Sequence, residues 1–208
     1  MCETRRPRRY CPAVRGEICT MCCGSEREIT LDCPFDCEYL LEARKHDKPV
    51  PVTGASIPNQ DIPVTEEMVS ENEALVLHLA NEFIQASEAA PELIDFDARE
   101  ALEAAIRTYR TRSSGLYYDS LPENPLAAGL ARTLLDGIEE FRREETERLG
   151  MTHTRDSAVL GVLVFLQHFE LDRNNGRRRG RAFLQALQWL YPSGSGEDSP
   201  GGSSLILP

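Results

Sequence analysis

Apolar residues recur at helical spacing in five stretches of the chain, and polar capping signals bound each one. Thr65 caps the first, with Glu66 and Glu67 suited to the positive end of the helix dipole and Met68, Leu75, Val76, Leu79, Phe83 and Ile84 along one face up to Pro91. A capping-box-like Asp97-Ala-Arg-Glu100 opens the second, which presents Leu102, Ala105, Ile106 and Tyr109. Asn124-Pro125 starts the third, which carries Leu126, Leu130, Leu134, Ile138 and Phe141 to a stop at Gly150. Thr154 caps the fourth, which has Val159, Val162, Leu163, Leu166 and Phe169 on one side and a left-handed stop signal at Asn174-Asn175-Gly176. The fifth places Phe183, Ala186, Leu187, Leu190 and Tyr191 together before Pro192. Five amphipathic helices with short connections bury their stripes most simply as a helical bundle over residues 65–191.

The pattern changes on either side of this block. Residues 48–64 hold four prolines, which remove backbone donors and favour extended chain, and they read as a linker. Residues 192–208 are rich in Gly and Ser and read as a disordered tail, with Leu205-Ile206-Leu207 near its end. Before the linker, Glu26 to Asp32 alternates Ile29 and Leu31 against Glu28 and Thr30, which predicts a strand or one arm of a hairpin. Pro34 and Asp36 then mark a helix start running through Tyr39 to His46, with Cys33 and Cys37 four apart on one face.

Six of the seven cysteines fall between Cys11 and Cys37, which changes the picture from packing to chemistry. Cys19-Thr-Met-Cys22, followed by Cys23-Gly24, makes a knuckle-like turn, and after a ten-residue gap comes Cys33-Pro-Phe-Asp-Cys37. Two short-spaced thiol pairs suit a tetrahedral ion, which points to zinc held by Cys19, Cys22, Cys33 and Cys37. Cys11, Cys23 and His46 are candidates for an additional site or for replacing one of the four. An iron-sulfur cluster is the alternative cofactor, since four-cysteine sets also hold iron, and reduced unliganded cysteines in a small core are the third reading. A knuckle, β-structure and a helix whose first turn brings the second ligand pair resembles the treble-clef group of zinc fingers over about residues 11–47. The second pair departs from that pattern in having three intervening residues rather than two.

The expectation is a mainly α protein: a basic arm at 1–10, a small treble-clef-like zinc-binding head at 11–47, the linker, the five-helix bundle and the tail. Charge is unevenly spread. Residues 1–49 hold nine Lys and Arg against nine Asp and Glu, so the formal net charge of −11 belongs to the remainder, with fourteen against twenty-five. An acidic body repels nucleic acid over most of its surface. Two arginine clusters run against this trend: Arg5, Arg6, Arg8 and Arg9, and Arg177, Arg178, Arg179 and Arg181. The second stands where a helix begins, and cations there oppose the dipole, so it is a candidate for binding an anion or nucleic acid. Solvated pairing with Glu170 and Asp172 is the plainer account. The connection from Tyr109 to Pro122 is aromatic and basic, and the simplest expectation folds its aromatics back on the bundle. His78 and His168 lie on apolar faces outside any His-Glu-x-x-His or Glu-x-x-His spacing and read as hydrogen-bonded structural residues.

No run approaches the ~20 apolar residues of a membrane span. The odd number of thiols, two of them adjacent, fits a reducing compartment, and the cytoplasm is the expected location. No nucleophile triad, phosphate loop or nucleotide fingerprint appears, and a closed thiolate tetrahedron has no open position for substrate. The chain therefore reads as a zinc-binding adaptor or regulatory protein with a protein partner. The alternatives are a nucleic-acid-binding protein using the head and the arginines, and an iron-sulfur or thiol redox sensor.

Overall fold

A computed structural model describes residues 4–47 and 57–191; the first half of the expected linker and all of the expected tail lie outside these. The described chain is mainly helical, with eight α-helices and one two-stranded sheet. None of these helices is long and apolar enough to cross a membrane.

Strands β1 (Arg9–Cys11) and β2 (Gly16–Ile18) form an antiparallel hairpin with Cys11 opposite Gly16. A 3-10 turn at Pro12–Val14 joins them, and Arg15 takes the left-handed conformation at φ 48°. Helices α1 (Thr20–Glu26) and α2 (Glu38–Arg44) complete the head. The β-structure thus precedes the Cys19–Cys22 turn, whereas the alternation had placed it at Glu26–Asp32. The reason lies in Glu28. Its carboxylate is drawn inward and its φ is 52°, so the segment folds as a turn in which the amides of Ile29, Thr30 and Leu31 all donate to Glu26 O. Cys33 lies outside any helix, and Cys37 is the N-cap of α2, so the two do not share a helical face. A turn closed by Cys37 N–H to Pro34 O joins them instead.

The body comprises α3 (Glu66–Glu71), α4 (Glu73–Ala89), α5 (Asp95–Ser113), α6 (Pro125–Leu149), α7 (Asp156–Arg173) and α8 (Ala182–Leu190). The first expected helix is broken at Asn72, whose side chain turns back to Met68 O and leaves α3 as a short separate turn. The second begins at Asp95, with Asp97 reaching back to the Ile94 amide at 3.0 Å, so Asp97 closes the first turn rather than preceding it. Asn124 caps α6 through the Leu126 amide, and Gly150 ends it at φ 79°, as the sequence predicts. Arg155, not Thr154, occupies the cap of α7.

α5 is the middle of the bundle. Its Ala98, Ala101, Ala104 and Ala105 are fully buried and let α6 and α7 lie close on either side. α4 packs on α6 and α8, and Phe183 of α8 closes the core with its ring edge-on to Phe83 at 5.4 Å and 5.9 Å from Phe169. His78 and His168 are hydrogen-bonded through Nε2 to the carbonyls of Gly137 and Pro58, each at 2.9 Å. Residues 57–64, the described end of the expected linker, are held on the bundle: Asn59 donates to Gln167 at 2.7 Å, Asp61 pairs with Arg110, and Ile62 and Val64 join the core.

α8 carries no side-chain cap of its own. The buried carboxylate of Asp95 does this from α5, accepting from the amides of Phe183 and Leu184 at 3.1 and 3.3 Å. Desolvation outweighs those two bonds and pushes the Asp95 pKa from 3.8 up to about 7. The folded state therefore keeps a proton that the unfolded chain has already lost. The stability this contributes is complete below the unfolded value and disappears as pH rises through the folded one. Denaturant unfolding from weakly acidic to weakly alkaline pH is expected to show falling stability, and Asp95→Asn should remove that part of the slope.

Candidate functional site

Around the thiols, local structure supplies donors to sulfur. Cys19 caps α1 through its side chain, its Sγ accepting the Cys22 amide at 3.3 Å, so the knuckle-like turn leads directly into a helix. Two guanidinium groups, Arg9 from the hairpin and Arg27 from the turn after α1, each donate to Cys23 Sγ at 3.8 Å. Arg9 also lies over the Tyr39 ring, 4.3 Å from its centroid, which fixes α2 against the hairpin. Burial pushes the Cys33 thiol up to about 11; a backbone hydrogen bond at Glu28 opposes this, while the charges of Glu28, Cys37 and Cys11 add to it. Cys11, Cys33 and Cys37 are thus electrostatic neighbours although they come from three different segments. Cys11, Cys19, Cys23 and Cys33 are buried, and Cys22 and Cys37 are half-buried. His46 is exposed and faces Glu42 at 3.7 Å. Among the described residues no group of three or more His, Cys, Asp and Glu side chains stands in an arrangement that holds a metal ion as it is.

The expected anion-binding arginines divide sharply. Arg5, Arg6 and Arg8 are exposed, and Arg9 is committed to Cys23 and Tyr39. In the second cluster Arg177 donates to Arg27 O at 2.7 Å, and Arg179 pairs with Asp32 through its side chain and with Glu28 O through its amide. Arg181 is only 7% exposed and lies 3.7 Å from the centroid of Phe35. Three of the four therefore fasten the loop between α7 and α8 to the Cys-rich head, and Arg178 stays exposed. Gly180 makes this loop possible: a Cβ there would stand 2.5 Å from Asn175 Oδ1 and 3.0 Å from Arg177 O.

At the centre of the contact is a side chain the sequence did not single out. Glu28, 1% exposed, accepts Arg44 Nη2 at 2.6 Å, Asn175 Nδ2 at 2.8 Å and the Arg181 amide at 3.1 Å. Arg44 in turn donates through Nε to Gln185 Oε1 at 2.9 Å, and Gln185 donates to Phe35 O at 3.0 Å. The signal available in the sequence was indirect: three arginines clustered at a helix start, where they gain nothing from the dipole, require an acceptor elsewhere.

Near Tyr109, the ring packs inside the bundle, flanked by Arg112 and Arg142 at 5.0 and 5.7 Å. Tyr117 and Tyr118 do not fold back; they are 81% and 57% exposed beside the exposed Leu116.

Comparison of the chain with models of protein families, with curated proteins and with solved structures finds no match in any of the three.

Breaking a buried charge pair by removing one partner costs about 3–5 kcal/mol. Glu28→Ala, which strands Arg44, Asn175 and the Arg181 amide, is expected to lose about that much from the docking of the head while the bundle stays helical. Hydrogen exchange should show loss of protection in residues 9–44 and in the loop before α8, with α5 and α6 unaffected.

Proposed function

We propose that the protein is a zinc-binding adaptor or regulatory protein, in which the Cys-rich head holds a structural zinc ion and the bundle acts through protein contacts. The observation that carries this reading is the treatment of the sulfur atoms. Cys19 Sγ accepts the Cys22 amide and Cys23 Sγ accepts the guanidinium groups of Arg9 and Arg27. Donors of this kind strengthen with negative charge on sulfur and accompany metal thiolates. The head's own apolar cluster is also small, comprising Cys11, Ile18 and Cys23 with five half-buried neighbours, so a cross-link between its sulfurs would add to the contacts that dock it on the bundle.

Cys19, Cys22, Cys33 and Cys37 would hold the ion, with Cys11 and Cys23 as further sulfurs in the same head. Bound zinc supplies a fixed cross-link and a positive charge that keeps the thiols deprotonated. Contact through the bundle is supported by the loop that displays Leu116, Tyr117 and Tyr118 to solvent, since aromatic residues are enriched where proteins meet. A nucleic-acid role is less supported, because Arg177, Arg179 and Arg181 are turned to the head.

Elemental analysis of the purified full chain tests the reading: stoichiometric zinc in a colourless preparation is expected. A strong chelator should then abolish protection of residues 9–44 while the far-ultraviolet helical signal of the bundle persists. Iron with visible absorption, or a metal-free chain whose head is equally protected, overturns it.

A further inference from the structure

Where the head meets the bundle there is a cavity of about 310 Å³, lined by Asp32, Cys33 and Pro34 of the head and by Pro91, Glu92, Ile94 and Arg181 of the body. Its volume is at the lower end of the range for small-molecule sites. The lining combines apolar walls with charges that are unequally satisfied.

Arg181 is the anomaly. More than nine-tenths of it is buried, yet no carboxylate among the described residues forms an ion pair with it. Its guanidinium donates to Ser87 O at 3.3 Å and stacks on Phe35, while Nε has no hydrogen-bond partner. Burial lowers its pKa, and the charges of Asp95, Glu28, Asp32 and Glu92 oppose that only through space. Two other buried charges are met by ion pairs, Glu170 by Arg99 at 2.9 Å and Glu28 by Arg44 at 2.6 Å, and buried Asp95 and Asp97 are met by amide donors. A buried guanidinium with no ion pair and an unbonded Nε can take an anion. Glu92 supplies the opposite sign at the same cavity and is exposed, with no ion pair among the described residues. The remaining acid, Asp32, is already matched by Arg179.

The cavity thus offers one unmatched cation, one unmatched anion and a wall made by Pro34, Pro91 and Ile94. A phosphate would satisfy Arg181 but set two negative charges against Glu92; a simple amine would do the reverse. We propose that the cavity binds a free α-amino acid with an apolar side chain, its carboxylate on Arg181, its ammonium towards Glu92 and its side chain against the prolines and Ile94. Because the lining comes from both the head and the bundle, such a ligand stabilises the docked arrangement by mass action and gives the adaptor a small-molecule input. The site rests on the head being folded, since Cys33 lines the cavity and is also one of the proposed zinc ligands. Metal content and amino-acid binding are measured separately on the same full chain, so the failure of one reading is distinguishable from the failure of the other.

Calorimetric titration of the full chain with L-leucine, L-isoleucine, L-valine and L-proline tests this, with isovalerate, isoamylamine and inorganic phosphate as comparisons. Saturable binding of at least one amino acid, tighter than any of the comparisons, is expected. Glu92→Gln removes the charge of an exposed side chain and leaves the fold in place; it should weaken amino-acid binding about tenfold and leave isovalerate unchanged. Arg181→Lys should abolish binding, and circular dichroism establishes whether that variant folds; if it does not, Glu92→Gln decides alone. The proposal is overturned if none of the four amino acids binds at millimolar concentration, if phosphate or isovalerate binds as tightly, or if Glu92→Gln is without effect.

Discussion

A bare carboxylate taken out of water loses several kcal/mol, and Glu28 escapes that cost because donors from two parts of the chain converge on it. Arg44 comes from the head's own second helix, whereas Asn175 and the Arg181 amide come from the loop before α8. The three bonds therefore do more than satisfy one side chain. They fix α2 relative to the turn after α1, and they fix both relative to the bundle. Since the oxygens of Glu28 are shared between head and body, the head cannot swing away without stranding a buried charge. Its left-handed φ of 52°, unusual for a glutamate, is offset by the bonds that the buried carboxylate makes from there.

The same constraint accounts for the arginines. An acidic body of fourteen basic against twenty-five acidic residues gives Arg177, Arg179 and Arg181 many possible surface partners, yet they turn to the head. Arg177 and Arg179 meet Arg27 O and Asp32 at its edge, and Arg181 lies over Phe35. Exposed pairs such as Arg179 with Asp32 contribute little individually, so the anchor is the buried Glu28 network and the arginines set its register. Asp95 plays the matching part within the body, capping α8 from α5 and holding the turn that leads into it, its amide donating to Gly180 O at 2.9 Å.

The helical body was legible because its signals are local. Asn124-Pro125 and Gly150 bound α6 as their chemistry dictates, and the apolar stripes of α4 to α7 are buried together with Phe183 and Leu187 of α8, whereas Leu190, expected on the same stripe, is exposed. Boundaries shifted where a distant group intervened or a side chain found a closer acceptor: Asn72 bonds Met68 O and divides the first helix, and Asp95 begins α5 two residues early because the cap it forms belongs to α8. The head was less legible. Alternation in Glu26–Asp32 assumes that polar residues face water, and Glu28 reverses that because its partners lie about 150 residues away in Asn175 and Arg181. Period-two reasoning has no means of seeing such a partner. Residues 57–64 show the same limit, since their prolines suggest free chain while Asn59 and His168 hold them to α7.

These features bear on how a metal in the head would act. A docked head gains stability from two sources, the Glu28 network and whatever cross-links its sulfurs, and the two share structure. Arg27, beside Glu28, donates to Cys23 Sγ while its carbonyl receives Arg177, and Cys33 closes the same segment. Ligation of the thiols on the proposed reading would therefore tighten the same turn that presents Glu28 to the bundle, so ion binding and docking reinforce each other. Coupling of this kind needs no change of fold. It requires only that the segment 27–33 be ordered once for both purposes, so that whichever event comes second meets a smaller entropic cost.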